Sequence, residues 1–291
     1  MVTVHMIVNP SFYRGEVESQ CAALSERLQK RGAVTKVLFS DDFLWGFRNG
    51  GTFVKEKADL TVFFNKDHLL AAMLEENGEL LLDSARSIRL CDDKCLTYCA
   101  LSGEGIPFPE TLPAPLLYLG TDGEGFLKRV AEELGFPVVA KCRSGSMGKQ
   151  VRLAENEREL RAVAEEFGTT PHMYQKFFGK RGEDIRVIVI GGRALCAMKR
   201  KNGSDFRSNV ALGGKGFPHE LTEKEREIAE KCAKTLGLDY CGVDLLSDEN
   251  GNVSVCEVNS NAFFRGASEA CKTDVAEALA GHILYKIIKN R

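Results

Sequence analysis

The sequence predicts a protein of mixed α/β and α+β class that opens with a mostly parallel α/β layer. Three observations point there. Strand-like and helix-like segments alternate through the first ninety residues. Short strands and a turn-marked hairpin fill much of the remainder. The chain of 291 residues suggests about two domains at roughly 150 residues each. With 44% apolar and 27% charged residues, it falls in the ordinary globular range rather than the disordered, collagen-like or coiled-coil ones.

Val2–Val8 is a continuous apolar run and predicts a buried strand. Glu16–Arg31 carries Cys21, Leu24 and Leu28 at helical spacing, with Gly32 as the stop. Strands are expected at Ala33–Phe39 and Leu60–Asn65, followed by a helix over Lys66–Glu76 and another over Asp92–Glu104. Ile106-Pro107-Phe108-Pro109 reads as extended, and Pro113-Ala114-Pro115 as a joint between subdomains. Beyond it a helix over Gly123–Leu134 leads into a strand at Val138–Cys142. A glycine-bearing loop, Arg143–Lys149, then passes to a strand at Gln150–Leu153 and a helix at Glu155–Phe167. Strands at His172–Gln175, Asp184–Ile190 and Arg193–Arg200 precede a helix at Glu223–Leu236, whose Thr222 and Glu225 form a capping box. A hairpin and a helix over Val275–Asn290 complete the chain.

Composition narrows the function. The 39 basic and 41 acidic side chains give a net charge of -2, which argues against a protein built to grip nucleic acid. The start, Met1–Val8, lacks the basic flank and cleavage site of a signal peptide, and apolar runs such as Leu60–Phe64 are far shorter than the ~20 residues that span a bilayer. A soluble, cytoplasmic protein without membrane contact is expected. Ten cysteines with no CxxC pair read as buried, reduced thiols. Cys91, Cys95 and Cys99 share a helix face, yet no fourth ligand at zinc-like spacing accompanies them.

The glycine loop invites a phosphate-loop reading that its residues refuse. Arg143 stands where the first Gly is required, Gln150 follows Lys149 where Ser or Thr is needed, and the loop joins two strands. A glycine hairpin folding over phosphates and a plain β-turn both remain open.

The hairpin is more informative. Tyr240–Ser247 and Val253–Asn259 flank Asn250-Gly251. With those two residues at the turn's centre, Asp244 lies opposite Glu257, and Asn259 projects on the same face. Opposed like charges repel unless something positive lies between them. Oxygen donors alone suit Mg²⁺, or Mn²⁺, better than zinc. The other face, Val243, Leu245, Cys256 and Val258, is expected to be core. A solvated hairpin would also leave acids facing water, but it explains poorly why they stand among apolar neighbours.

Magnesium commonly accompanies phosphate. Lys141, which ends an apolar strand, is a natural phosphate partner. Lys94 is a second candidate on which the residues alone are neutral. Asp184 with Arg186, and Arg207-Ser208-Asn209 after the basic stretch Lys199-Arg200-Lys201, would be solvated by default and anion-binding beside a metal.

Taken in order and spacing, Lys94, Lys141 with its glycine loop, Gln175-Lys176-Phe177-Phe178, Asp184-Ile185-Arg186, Arg207-Ser208-Asn209, Gly242-Val243-Asp244 and Glu257-Val258-Asn259 resemble the motifs of ATP-grasp ligases, and most of all the RimK-type glutamate ligases. The resemblance runs from about Ser84 onward. It implies an N-terminal α/β domain over 1–90, a central subdomain over 91–172 bearing the glycine-rich loop, and a C-terminal subdomain over 173–291 bearing the metal site, with ATP between the last two. It further implies that Lys94 and Lys141 contact phosphates, with Gln175, Lys176 and Phe177 at the adenine and the last two offering it backbone groups. Asp184 would bind the ribose, and Arg207, Ser208 and Asn209 would lie at the phosphate end. Asp244, Glu257 and Asn259 would hold two Mg²⁺ ions.

The implied reaction joins a carboxylate to an amine through an acyl phosphate. Arg207 is then the residue expected to steady the transferring phosphoryl group, since such transfer needs positioning and charge neutralisation more than a nucleophile. The substrates implied are ATP, a carboxylate and an amine, with glutamate the leading amino acid. Homo-oligomers are common among such enzymes. Two alternatives share the motifs: a ligase crosslinking side chains of a ribosomal peptide, and an ATP-binding sensor without turnover. This chain departs from the family in two places. It reads Asn259-Ser260-Asn261-Ala262-Phe263-Phe264-Arg265 where many relatives have Asn-x-Ser-Pro-Gly bordering the acceptor pocket. It also has Lys176 where an acid is common.

Overall fold

The structure is a computed structural model and describes residues 1–13, 15–145 and 147–291. Three parallel strands, β1 (Thr3–Val8), β2 (Val34–Phe39) and β5 (Leu60–Phe64), form the N-terminal sheet in the order β2-β1-β5. Helices α1 (Glu16–Lys30) and α2 (His68–Glu76) cover it, α2 beginning on an Asp67 side-chain cap. Strands β1 and β5 are buried on both faces, which is why they read as unbroken apolar runs. Between β2 and β5 the chain makes a hairpin that the apolar pattern does not reveal: β3 (Trp45–Arg48) pairs with β4 (Gly51–Val54). Its turn residues, Asn49 and Gly50, both take positive φ, at 53° and 77°, as a type I′ turn requires.

The helix expected over Asp92–Glu104 is α4 (Lys94–Leu101); a separate helix that the periodicity does not reveal, α3 (Ala85–Asp92), precedes it, and the two meet at Asp93. Asp93 has extended backbone angles, and its carboxylate accepts from the amides of Cys95 and Leu96 while receiving the Arg143 guanidinium. A short acid that can cap an N-terminus competes with helix continuation, and here capping wins.

The central unit is an antiparallel sheet in the order β6-β9-β7-β8, made of β6 (Thr111–Pro113), β7 (Val138–Cys142), β8 (Val151–Ala154) and β9 (His172–Lys176). Helices α5 (Glu124–Leu134) and α6 (Glu157–Phe167) pack on it through Leu127, Val130, Leu160 and Val163. The third unit is a five-stranded antiparallel sheet in the order β12-β11-β10-β13-β14. Its strands are β10 (Glu183–Ile190), β11 (Arg193–Lys201), β12 (Lys215–Pro218), β13 (Tyr240–Ser247) and β14 (Val253–Asn259). Helix α7 (Glu223–Leu236) starts on the expected capping box and covers one face with Ile228, Ala229 and Cys232.

Helices α8 (Arg265–Cys271) and α9 (Val275–Lys289) lie between the third sheet and the N-terminal layer. Leu279, Ile283 and Ile287 share one core with Val4, Leu24 and Leu28 on one side and Ile188 and Met198 on the other. Arg27–Asp274 and Arg31–Glu277 pairs tie α1 to α9 at the surface. The last helix thus completes the N-terminal core. No helix among the described residues is long and apolar enough to cross a membrane.

Because Asp93 both caps α4 and anchors Arg143, replacing Asp93 by Ala should lower unfolding stability by about 1–2 kcal/mol, measured by chemical denaturation. An unchanged midpoint would contradict the capping role.

Candidate active site

Hairpin β13–β14 sets the centre of the site. Its register differs from the simple expectation in two compensating ways. Three residues, Glu249-Asn250-Gly251, lie inside the turn between the pairing ends Asp248 and Asn252, so Leu245 faces Val255 rather than Cys256. A bulge then inserts Cys256, and beyond it Asp244 stands opposite Glu257 as expected. The bulge also turns Cys256 away from the core, where sequence alternation had placed it. Its sulfur lies 3.6 Å from Lys141 Nζ in the cleft.

The cleft opens between the central and third sheets. Lys94, Lys141, Gln175, Lys176, Phe177, Asp184, Arg207, Ser208, Asn209, Asp244 and Glu257 all line it. Asn259 does not, but its amide donates to Glu257 Oε1 at 3.2 Å.

Lys141 is only 6% exposed, and its ammonium donates to Gln175 Oε1 at 2.7 Å. Gln175 in turn donates to Tyr98 Oη at 3.1 Å and Thr111 Oγ1 at 2.8 Å. Both ends of its amide are therefore taken up within the protein, so Gln175 aims Lys141 rather than facing a base. The backbone amides of Lys176 and Phe177 donate to the carbonyls of Glu110 and Pro137 and are likewise committed. This segment also contributes Phe177 and Phe178 to the lining of the cleft.

Asp184, expected at a ribose, is the counter-ion of Arg200. The guanidinium donates to both carboxylate oxygens, from Nε to Oδ1 at 2.6 Å and from Nη2 to Oδ2. The same Nη2 lies 2.9 Å from Asp244 Oδ2. Arg186 grips Asp244 from the other side, Nε to Oδ1 at 2.7 Å and Nη2 to Oδ2 at 2.6 Å. Asp244 Oδ2 thus serves two guanidiniums, while Oδ1 serves one. Arg200 went unrecognised in the basic stretch Lys199-Arg200-Lys201. Strand β11 runs to Lys201, and period-two alternation turns Arg200 inward while its neighbours pair with Glu183.

Burial works to raise the pKa of Glu257. Lys94, whose ammonium is 3.6 Å away, together with Arg186, the Asn259 hydrogen bond and Lys141, instead hold it well below the ordinary carboxylate range. Glu257 is therefore an anion at neutral pH. Among the described residues no three His, Cys, Asp or Glu side chains gather as a metal site, so the donor set depends on the Asn259 amide. An oxygen-only set of one charged Glu, one amide and one free Asp lone pair fits a hard divalent cation that keeps several waters.

The glycine loop borders the cleft through Gly145 and Gly148. Ser146 lies outside the described residues. Arg207 Nη1 donates to Gly148 O at 2.7 Å and to Val151 O at 3.4 Å, while Nε and Nη2 hold Asp205. A methyl group at Gly148, where φ is +69°, would lie 2.6 Å from Asn209 Oδ1, and one at Gly214 would lie 2.1 Å from Ser208 O. These glycines permit the interlock that places Ser208 and Asn209. The departing segment after Asn259 turns into the core, with Ala262 and Phe264 each 3% exposed and Phe264 N donating to Gln20.

Gly214→Ala should push the Ser208–Asn209 segment out of place and weaken binding of Mg·ADP by about tenfold, read by calorimetry. Unaltered affinity would show that this interlock does not shape the cleft.

Comparison with known proteins agrees with the geometry. The model of the RimK-like ATP-grasp domain matches residues 91–283. The chain is 34% identical over 241 residues to N-acetylaspartylglutamate synthase A of Homo sapiens, covering 82% of this chain and 58% of that one. It therefore spans little more than half the length of that relative. It is 31% identical over 220 residues to the glutamate–LysW ligase ArgX of Sulfolobus acidocaldarius, covering 73% and 76%. The D-alanine–D-alanine ligase of Bacillus anthracis complexed with ATP superposes with a TM-score of 0.74 at 17% identity over 100% and 98% of the two chains, a likeness of fold. With its own glycine loop and opposed carboxylates in the matched region, the chain belongs to the RimK-like ATP-grasp family.

Proposed function

We propose that the protein is an ATP-dependent carboxylate–amine ligase that adds an amino acid, glutamate foremost, to a carboxylate of a small molecule or peptide. The observation that carries this reading is the convergence of Lys94, Lys141, Arg207, Asp244 and Glu257 on one cleft. Two relatives whose names specify glutamate conjugates support the choice of amine. All ten cysteines are free thiols, which suits a reducing, cytoplasmic setting.

In this reading the phosphates of ATP lie against Lys94 and Lys141, with Phe177 and Phe178 along the base. Ser208 and Asn209 sit at the phosphate end. Glu257, Asn259 and the free lone pair of Asp244 would hold magnesium, two ions in the family's manner, with manganese as a substitute. The metal supplies charge neutralisation across the phosphates. An oxygen of the acceptor carboxylate bonds to the γ-phosphorus as the bridging bond to ADP breaks. Arg207 stands where it can release Gly148 O and take the transferring group's charge. The amine then attacks the acyl carbon and phosphate leaves. No side chain needs to act as nucleophile; the chain positions reactants and neutralises charge.

Incubating the protein with ATP, Mg²⁺, a panel of amino acids and carboxylate acceptors that include N-acetylaspartate and peptides should sustain turnover of ATP to ADP only when an amine and an acceptor are both present. Tight nucleotide binding with no ADP under any pairing would overturn the reading. Product mass separates ligation, which adds an amino acid, from crosslinking, which only loses water. Glu257→Gln and Arg207→Ala should each lower kcat by about 10²–10³, and chelating the metal should abolish turnover. Gln175→Leu removes the group that aims Lys141 together with its bonds to Tyr98 and Thr111, so kcat/KM for ATP should fall roughly 10–100-fold while circular dichroism shows the fold retained. Equal activity in that variant would show that Lys141 needs no such support.

A further inference from the structure

Nothing in the sequence singles out Lys66, which follows β5 at the carboxyl end of the parallel sheet. Open α/β sheets tend to meet ligands at that end. In the structure its ammonium reaches across to the glycine loop and donates to Gly145 O at 3.4 Å. It also pairs with Asp92 Oδ1 at 2.9 Å, and its side chain remains about one-third exposed. Lys94 Nζ approaches the same Gly145 oxygen at 3.5 Å and Glu257 Oε2 at 3.6 Å.

Two ammonium groups therefore converge on one neutral carbonyl at the root of the loop. A carbonyl oxygen offers two lone pairs but no net charge, so at this point the two ammonium groups meet only a dipole, their charges being balanced to the side by Asp92 and Glu257. An anionic oxygen in the same place would be held by both. The far end of the loop is fastened in a parallel way, by Arg207 on Gly148 O at 2.7 Å. Each end of the strap is thus tied by cations, Lys94 and Arg207 lining the cleft itself and Lys66 reaching Gly145 O from beside it.

We propose that Lys66 is a further phosphate-binding residue, whose ammonium contacts the terminal, transferring phosphoryl group of ATP from the side of the loop opposite Arg207. This rests on the ligase reading above and deepens it. As the acceptor oxygen bonds to the γ-phosphorus, the bridging oxygen leaves with its electron pair on ADP. Lys66 keeps its proton and its charge throughout, and its ammonium meets charge on the equatorial oxygens. An anionic oxygen at this point could also come from the acceptor carboxylate, and the test separates the two sources.

Calorimetry on the full chain with Mg·AMPPNP and Mg·ADP tests the proposal in four proteins: unmodified, Lys66→Met, Lys66→Arg and Asp92→Asn. Lys66→Met should weaken AMPPNP by about tenfold or more and ADP by less than about twofold, the scale of one charge-assisted hydrogen bond. Lys66→Arg should recover most of the loss, and it keeps the test readable if the Met variant folds poorly. Asp92→Asn should leave the preference for AMPPNP intact. The proposal is overturned if Lys66→Met weakens both nucleotides alike or neither, or if Asp92→Asn reproduces its effect, since Lys66 would then serve only as partner to Asp92. Unchanged AMPPNP affinity with a raised KM for the acceptor would assign the ammonium to the carboxylate and overturn it equally. Failure of the unmodified protein to bind either nucleotide would instead sink the ligase reading itself.

Discussion

Two carboxylates facing each other on neighbouring strands in a buried cleft cannot both stay charged unless cations are brought to them. Asp244 is 1% exposed and stands directly opposite Glu257. Isolated burial of either charge would cost several kcal/mol, and burial of both without compensation would neutralise at least one. The protein supplies the compensation from four directions: Arg186 from β10, Arg200 from β11, Lys94 from the start of α4 and Lys141 from β7. Most of the architecture around the cleft follows from that requirement.

Each cation is delivered by ordinary secondary-structure rules. Antiparallel pairing sets Arg186 beside Asp244, and alternation along β11 turns Arg200 to the same face. The Asp93 cap fixes where α4 begins and hence where Lys94 stands. Gln175, diagonal to Lys141 across the β7–β9 pair, aims the fourth. The arrangement is asymmetric in a useful way. Asp244 is largely absorbed by guanidiniums, while Glu257 keeps an exposed flank beside a single lysine and an amide. A divalent ion would therefore find its strongest partner in Glu257 and a secondary one in Asp244.

Much of this was legible in the residues, though sometimes for incomplete reasons. The parallel layer showed itself through uninterrupted apolar strands. The opposition of Asp244 and Glu257 followed from a turn placed one position off and a bulge not foreseen, two errors that cancel. A bulge depends on local strand geometry that alternation cannot register, and so Cys256 was assigned to the wrong face. The break at Asp93 and the Asn49-Gly50 hairpin carried local signals, a capping acid and a type I′ turn pair, that periodicity outweighed. The roles of Gln175 and Lys66 were not legible, because each depends on a partner far along the chain whose side chain only folding brings near.

The most direct measurement is anomalous scattering from a crystal of the protein grown with manganese and AMPPNP. A manganese peak bonded at on the order of 2.2 Å to oxygens of Glu257 and Asn259, with Asp244 Oδ1 beside it and the phosphates between Lys141 and Arg207, is the predicted result. A nucleotide seated in the cleft whose metal lies away from all three side chains would contradict it.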